Sequence, residues 1–116
     1  ALAALAGVLE GWGCHVAAVP HAHGADRAIR ERPADLWLFD FHLDDGDTGL
    51  ELRERLGQWH DARPTLILSA DQSETVRRAV LDAGLSLLSK PVKPLALKSV
   101  LDRLLASRSA QHATSL

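Results

Sequence analysis

The sequence predicts an α/β fold built on a parallel sheet. Helical and strand-like patterns alternate along its 116 residues, as they do in βα units. The main strand-like runs are continuously apolar rather than alternating, the signature of strands covered on both faces. At 47% hydrophobic, a chain of this length supports one compact domain with a real core.

Taken in order, Leu2, Leu5, Val8 and Leu9 recur at spacings of three and four and predict a helix over 1–11, which Gly11 and Gly13 bring to an end. HVAAV, 15–19, reads as a short strand. GADRAIRERP, 24–33, is a short amphipathic helix stopped by Pro33. LWLFD, 36–40, is an apolar run that ends on an acid. The loop DDGDTG follows, with Asp47 or Thr48 available to cap a helix over 49–59. PTLILSA, 64–70, is a second apolar strand. SETVRRAVLDAG, 73–84, is a helix closed by Gly84. SLLSK, 86–90, is a third apolar strand, and Pro91 and Pro94 shape the turn after it. LALKSVLDRLLASR, 95–108, is the last helix, and residues 109–116 are small and polar and read as a disordered tail.

Composition excludes several classes. Thirteen Lys and Arg against fifteen Asp and Glu give a net charge of -2, unlike a nucleic-acid-binding surface. A single cysteine, Cys14, rules out an internal disulfide framework and suits a reducing, cytoplasmic setting. No apolar run is long enough to span a bilayer, and the N-terminal stretch lacks the basic region of a signal peptide. The sequence has no methionine, which reads as a processed product or a piece of a larger chain.

The chemistry is at the strand ends. Three apolar strands finish on Asp40, Ser69 and Lys90, 29 and 21 residues apart, one strand–helix unit each. Parallel α/β sheets bind ligands at the carboxyl edge of their strands, so a carboxylate, a hydroxyl and an ammonium converge there. A carboxylate can act as a nucleophile toward phosphorus, and the transferred group needs positive and hydrogen-bonding partners. Each residue alone has a plainer reading: Asp40 as a helix cap or structural ion pair, Ser69 as a turn hydroxyl, Lys90 as a solvated surface lysine.

With DLWLFDFHLDDGDTGLEL around Asp40, RPTLILSA around Ser69 and LLSKPVKP around Lys90, the chain resembles the receiver domain of two-component response regulators over nearly its whole length. The resemblance implies a flavodoxin-like three-layer sandwich, a parallel sheet with helices on both faces, over residues 1–108. It implies that Asp40 is the phosphoacceptor, that Ser69 follows the phosphoryl group, and that Lys90 pairs with its oxygens. Mg²⁺ is the implied cofactor, held by Asp40 and the backbone carbonyl of His42. The implied partner is a histidine kinase or phosphotransfer domain. A homodimer is open to it, with neither nucleic acid nor membrane contacted by this domain. ALAGVLEGWGC, DDGDTG and the valine after Lys-Pro resemble receivers at the C-terminal end of hybrid sensor histidine kinases. The domain is not itself a conventional enzyme.

Two features depart from the family. Receivers open with a buried central strand carrying two metal-binding acids. This sequence begins inside the following helix, so that strand and its acidic pair are expected upstream, between strands 15–19 and 36–40. Asp44, Asp45 and Asp47 lie on the wrong loop to replace them. Leu87 stands where many receivers place an aromatic that reports the phosphoryl state.

Two other functions compete with this reading. One is a non-phosphorylated docking or dimerisation module. The other is a cobalamin-binding domain, whose Asp-x-His-x-x-Gly motif begins like Asp40-Phe41-His42; but Gly46 falls one residue late and the later glycines are missing. His21 and His23 form a pair found in metal sites, but with no third or fourth ligand evident they read as a surface loop. Cys14 reads as a small buried hydrophobe, Trp12 and Trp37 as packing residues, and Trp59 as a partly exposed helix end.

Overall fold

The computed structural model describes residues 2–19, 22–43 and 46–114, and the side chains among them except those of residues 2, 3, 22 and 107–114. The chain divides into two compact units, residues 1–33 and 34–116.

The first unit holds α1 (Leu2–Gly11), a 3₁₀ turn (Ala22–Gly24) and α2 (Ala25–Glu31). α1 ends as its glycines predict. Gly13 adopts φ +87°, its N–H donates to the Glu10 carbonyl at 3.0 Å, and the Cys14 N–H reaches back to Leu9 at 3.1 Å. This pair of bonds satisfies carbonyls that a helix end leaves open. Cys14 is exposed, not the buried hydrophobe expected. Residues 15–19 form no strand, which corrects the prediction. A strand persists only through its ladder. Among the described residues, 15–19 pair with no other strand. His21 lies outside the described residues.

The second unit is the sheet and its helices: β1 (Trp37–Asp40), α3 (Gly49–Trp59), β2 (Thr65–Ser69), α4 (Glu74–Asp82), β3 (Ser86–Ser89) and α5 (Pro94–Thr114). The three strands are parallel in the order β1-β2-β3. Phe39, Ile67 and Leu87 stand in register across the sheet. They pack against Val76 and Val80 of α4, with Phe41 and Leu50 in the same cluster. Successive strand residues face opposite ways, and Leu66, Ile67 and Leu68 are all buried, so β2 is covered on both faces. α5 runs against β3 and buries Leu97 and Leu101.

Local chemistry fixes the ends. Thr48, not Asp47, caps α3: its Oγ1 accepts the Glu51 N–H at 3.2 Å and Glu51 accepts the Thr48 N–H at 3.1 Å, a reciprocal capping box. Ser73 caps α4 through the Val76 N–H at 3.3 Å. At the amino edge of the sheet, Arg53 donates to Thr65 Oγ1 at 2.9 Å, and Arg63 to the Ala34 carbonyl at 2.8 Å. α5 runs past residue 108, because SRSAQHAT contains neither proline nor glycine to stop it. Trp59 is well exposed at the end of α3, while Trp37 is buried.

Leu66 is fully buried at the sheet centre. Leu66→Ala should lower unfolding free energy by about 2–5 kcal/mol, read as a lower urea midpoint at unchanged slope.

Candidate functional site at the carboxyl edge of the sheet

The ladder brings the three predicted residues together. Ser69 pairs in register with Ser89, which places Lys90 one step beyond it, and the Lys90 N–H donates to the Ser69 carbonyl at 2.9 Å. From there the Lys90 side chain reaches the end of β1, with Nζ 2.8 Å from Asp40 Oδ1. The Lys90–Pro91 peptide bond is cis. The Asp40 side chain is 48% exposed and that of Lys90 37%, so water screens the pair and its contribution to stability is at most about 1 kcal/mol. That same exposure leaves the carboxylate open to a reactant. Ser69 is buried, and its Oγ accepts the Asp71 N–H at 3.0 Å.

The loop after Asp40 is pinned at its base. The Gly49 N–H donates to the Phe41 carbonyl at 2.8 Å, and His42 bridges Thr48. A Cβ on Gly49 would lie 2.4 Å from the Asp40 carbonyl oxygen and 3.1 Å from the Phe39 side chain. Glycine therefore sets how closely α3 approaches the end of β1. Gly46, at φ +88°, makes the turn within the loop. Asp47 is held by Arg55 at 2.7 Å, while Asp44 and Asp45 lie outside the described residues.

One side-chain contact escaped the sequence reasoning. The sequence pointed to the His42 carbonyl and to a cobalamin-like motif at its side chain, but not to Asp71, yet His42 Nε2 and Asp71 Oδ2 stand 3.1 Å apart. The available signal was positional: each lies two residues beyond a strand-end residue, Asp40 or Ser69. The Asp71 carboxyl sits below its ordinary value of 3.8, chiefly because the Ser73 N–H bonds the carboxylate, with His42 and the Ser73 side chain adding to it.

Mg²⁺ takes about six oxygen ligands. Asp40 and the His42 carbonyl are donors of the right kind. Among the described residues, however, no group of three or more His, Cys, Asp or Glu is placed to hold a metal. The donors fit in kind and fall short in number.

The family model of the response regulator receiver domain matches residues 1–102. The chain is 33% identical over 103 residues to the transcriptional regulatory protein ZraR of Salmonella typhimurium, covering 88% of this chain and 23% of that protein. It is 46% identical over 61 residues to the KDP operon transcriptional regulatory protein KdpE of Escherichia coli, covering 52% of this chain and 26% of that one. Among solved structures, a CheY-like response regulator receiver domain from Methanospirillum hungatei superposes with a TM-score of 0.80 at 25% identity, over 95% of this chain and 88% of that chain. A response regulator structure from Chloroflexus aurantiacus superposes at 0.76 and 29% identity, over 88% and 85%. A parallel sheet with this carboxyl edge and these matches define one class. The chain belongs to the response regulator receiver family of two-component systems, and it spans about a quarter of the length of the curated regulators it matches.

Two outcomes follow. Because the Asp71 value is lowered on folding, its carboxylate adds stability above the ordinary aspartate range, and that stability is lost as pH falls through the folded value. An NMR titration of the Asp71 carboxyl should give a midpoint below 3.8. Gly49→Ala should cost about 1–3 kcal/mol, measured by urea unfolding, because the intruded atom is backbone and cannot swing aside.

Proposed function

We propose that Asp40 accepts a phosphoryl group from a phosphohistidine on a partner histidine kinase or phosphotransfer domain. The observation that carries this reading is the Lys90–Asp40 contact at 2.8 Å on an exposed carboxyl edge. Lys90 engages Oδ1, which leaves Oδ2 as the attacking oxygen. That oxygen forms a bond to phosphorus as the P–N bond of the phosphohistidine breaks, and the released imidazole nitrogen takes up a proton. The product is an acyl phosphate. The Lys90 ammonium then balances charge on the phosphoryl oxygens, and the Ser69 hydroxyl supplies a hydrogen bond to one of them. The shift of these two groups from the free to the phosphorylated arrangement biases a two-state equilibrium of the surface built by residues 73–108. Asp40 and the His42 carbonyl would be this chain's donors to Mg²⁺, which would supply positive charge there.

The exchange belongs in the cytoplasm, in keeping with the single, exposed thiol of Cys14. Features resembling hybrid-kinase receivers stand beside relatives that are transcriptional regulatory proteins, and the phosphoryl chemistry is common to both kinds of parent. The shortage of carboxylates at the site favours one second reading, a receiver that docks or dimerises without phosphorylation. Family membership supports the receiver reading over cobalamin binding.

Incubation with Mg²⁺ and acetyl phosphate should raise the intact mass by one phosphoryl group. Asp40→Asn should abolish the gain, and Lys90→Ala should slow it about tenfold, the loss of one charge-assisted hydrogen bond. No gain in the chain, together with none in a version extended upstream, would favour the docking reading.

A further inference from the structure

His42 and Asp71 join the two loops that carry Asp40 and Ser69. Asp71 uses both carboxylate oxygens: Oδ2 meets His42 Nε2 at 3.1 Å, and Oδ1 accepts the Ser73 N–H at 2.9 Å. The Asp71 N–H donates to Ser69 Oγ at 3.0 Å, while Ser73 Oγ caps α4 through Val76. One residue thus links the loop after β1, the Ser69 hydroxyl and the first turn of α4. The ring of His42 is itself steadied, edge-on against Phe41 at 4.9 Å and 82°, and Phe41 is anchored in the core cluster.

From this geometry we infer that His42 and Asp71 form a latch. It holds the turn between β2 and α4 in the arrangement where the Asp71 N–H engages the Ser69 hydroxyl. The functional meaning rests on the phosphoacceptor reading. A Ser69 hydroxyl that follows a phosphoryl group on Asp40 leaves the Asp71 N–H, and the latch opposes that departure. His42 and Asp71 are positioning residues: they act through Ser69 and touch no reacting atom. The bond needs only an N–H on His42 Nε2, so a neutral ring serves. With His42 62% exposed and Asp71 39%, the coupling is modest, on the order of two- to fivefold in a population.

Amide hydrogen exchange at Asp71 and Ser73, followed by NMR in the chain as it stands, reads the latch directly. His42→Ala and Asp71→Asn should each speed exchange at these amides about two- to fivefold. The double variant should be no faster than the faster single one, and His42→Gln, which keeps a donor, should restore slow exchange. Unchanged exchange, or effects that multiply in the double variant, would overturn the latch. Matched urea midpoints separate a loosened turn from general destabilisation. If a variant fails to fold, the His42→Gln comparison with the parent chain decides: faster exchange despite its retained donor argues against the latch. The rate of phosphoryl uptake from acetyl phosphate is a second reading, expected to rise in His42→Ala. Coupled exchange without any uptake by the parent chain would remove the phosphoacceptor reading and leave the latch standing. Uptake with uncoupled exchange would do the reverse. Coupled exchange and normal uptake, with an unchanged rate in His42→Ala, would sever the latch from Ser69.

Discussion

Strand β2 is dry on both faces, and the arrangement of the carboxyl edge depends on that burial. A strand covered on one side can slip by one residue only by exchanging its inner and outer faces. When both faces are apolar, the cue that fixes register comes from the neighbours. Phe39, Ile67 and Leu87 align across the ladder and seat against Val76 and Val80. That row fixes Ser69 opposite Ser89, and with it the height at which Lys90 emerges. A slip of one residue at β3 would displace the lysine along the strand axis by about 3.3 Å, more than the 2.8 Å that separates its ammonium from Asp40. Hydrophobic packing well inside the unit therefore sets a polar geometry at its rim.

The site is held differently from the core. Its charges face water, so their mutual attraction adds little to folding. What keeps Asp40 and Lys90 in place is the backbone under them: the ladder on one side, and the close approach of Gly49 on the other. Side chains that stabilise little can be given up to a reactant at little cost to the fold. On the proposed reading, Lys90 leaves the carboxylate for a phosphoryl oxygen without unfolding what supports it.

The sequence made much of this legible. WLFD, TLILS and SLLS stand out as strands because their apolar runs are unbroken, and parallel topology then aligns their last residues without further information. The helix starts at Thr48 and Ser73 were readable because capping is local chemistry. What stayed hidden was non-local. HVAAV has the composition of a strand, but composition does not supply a partner. The His42–Asp71 contact spans 29 residues, and its one cue, a place two residues beyond each strand end, does not say that the two side chains meet. The run of α5 past residue 108 was obscured by polar composition, which marks exposure and does not end a helix.

The pinned base of the loop after Asp40 also bears on how that loop can change length. The Gly49 N–H bond to Phe41 and the bridge between His42 and Thr48 close the loop before its tip is reached. The segment between those two contacts therefore has both ends fixed. Lengthening such a segment costs only the slow logarithmic growth of closure entropy, about 0.6 kcal/mol for each doubling. The strand end and the first turn of α3 need not move to accommodate it. Residues added between those fixed ends, such as a reporter sequence grafted by design, leave the backbone of Asp40 where the sheet puts it.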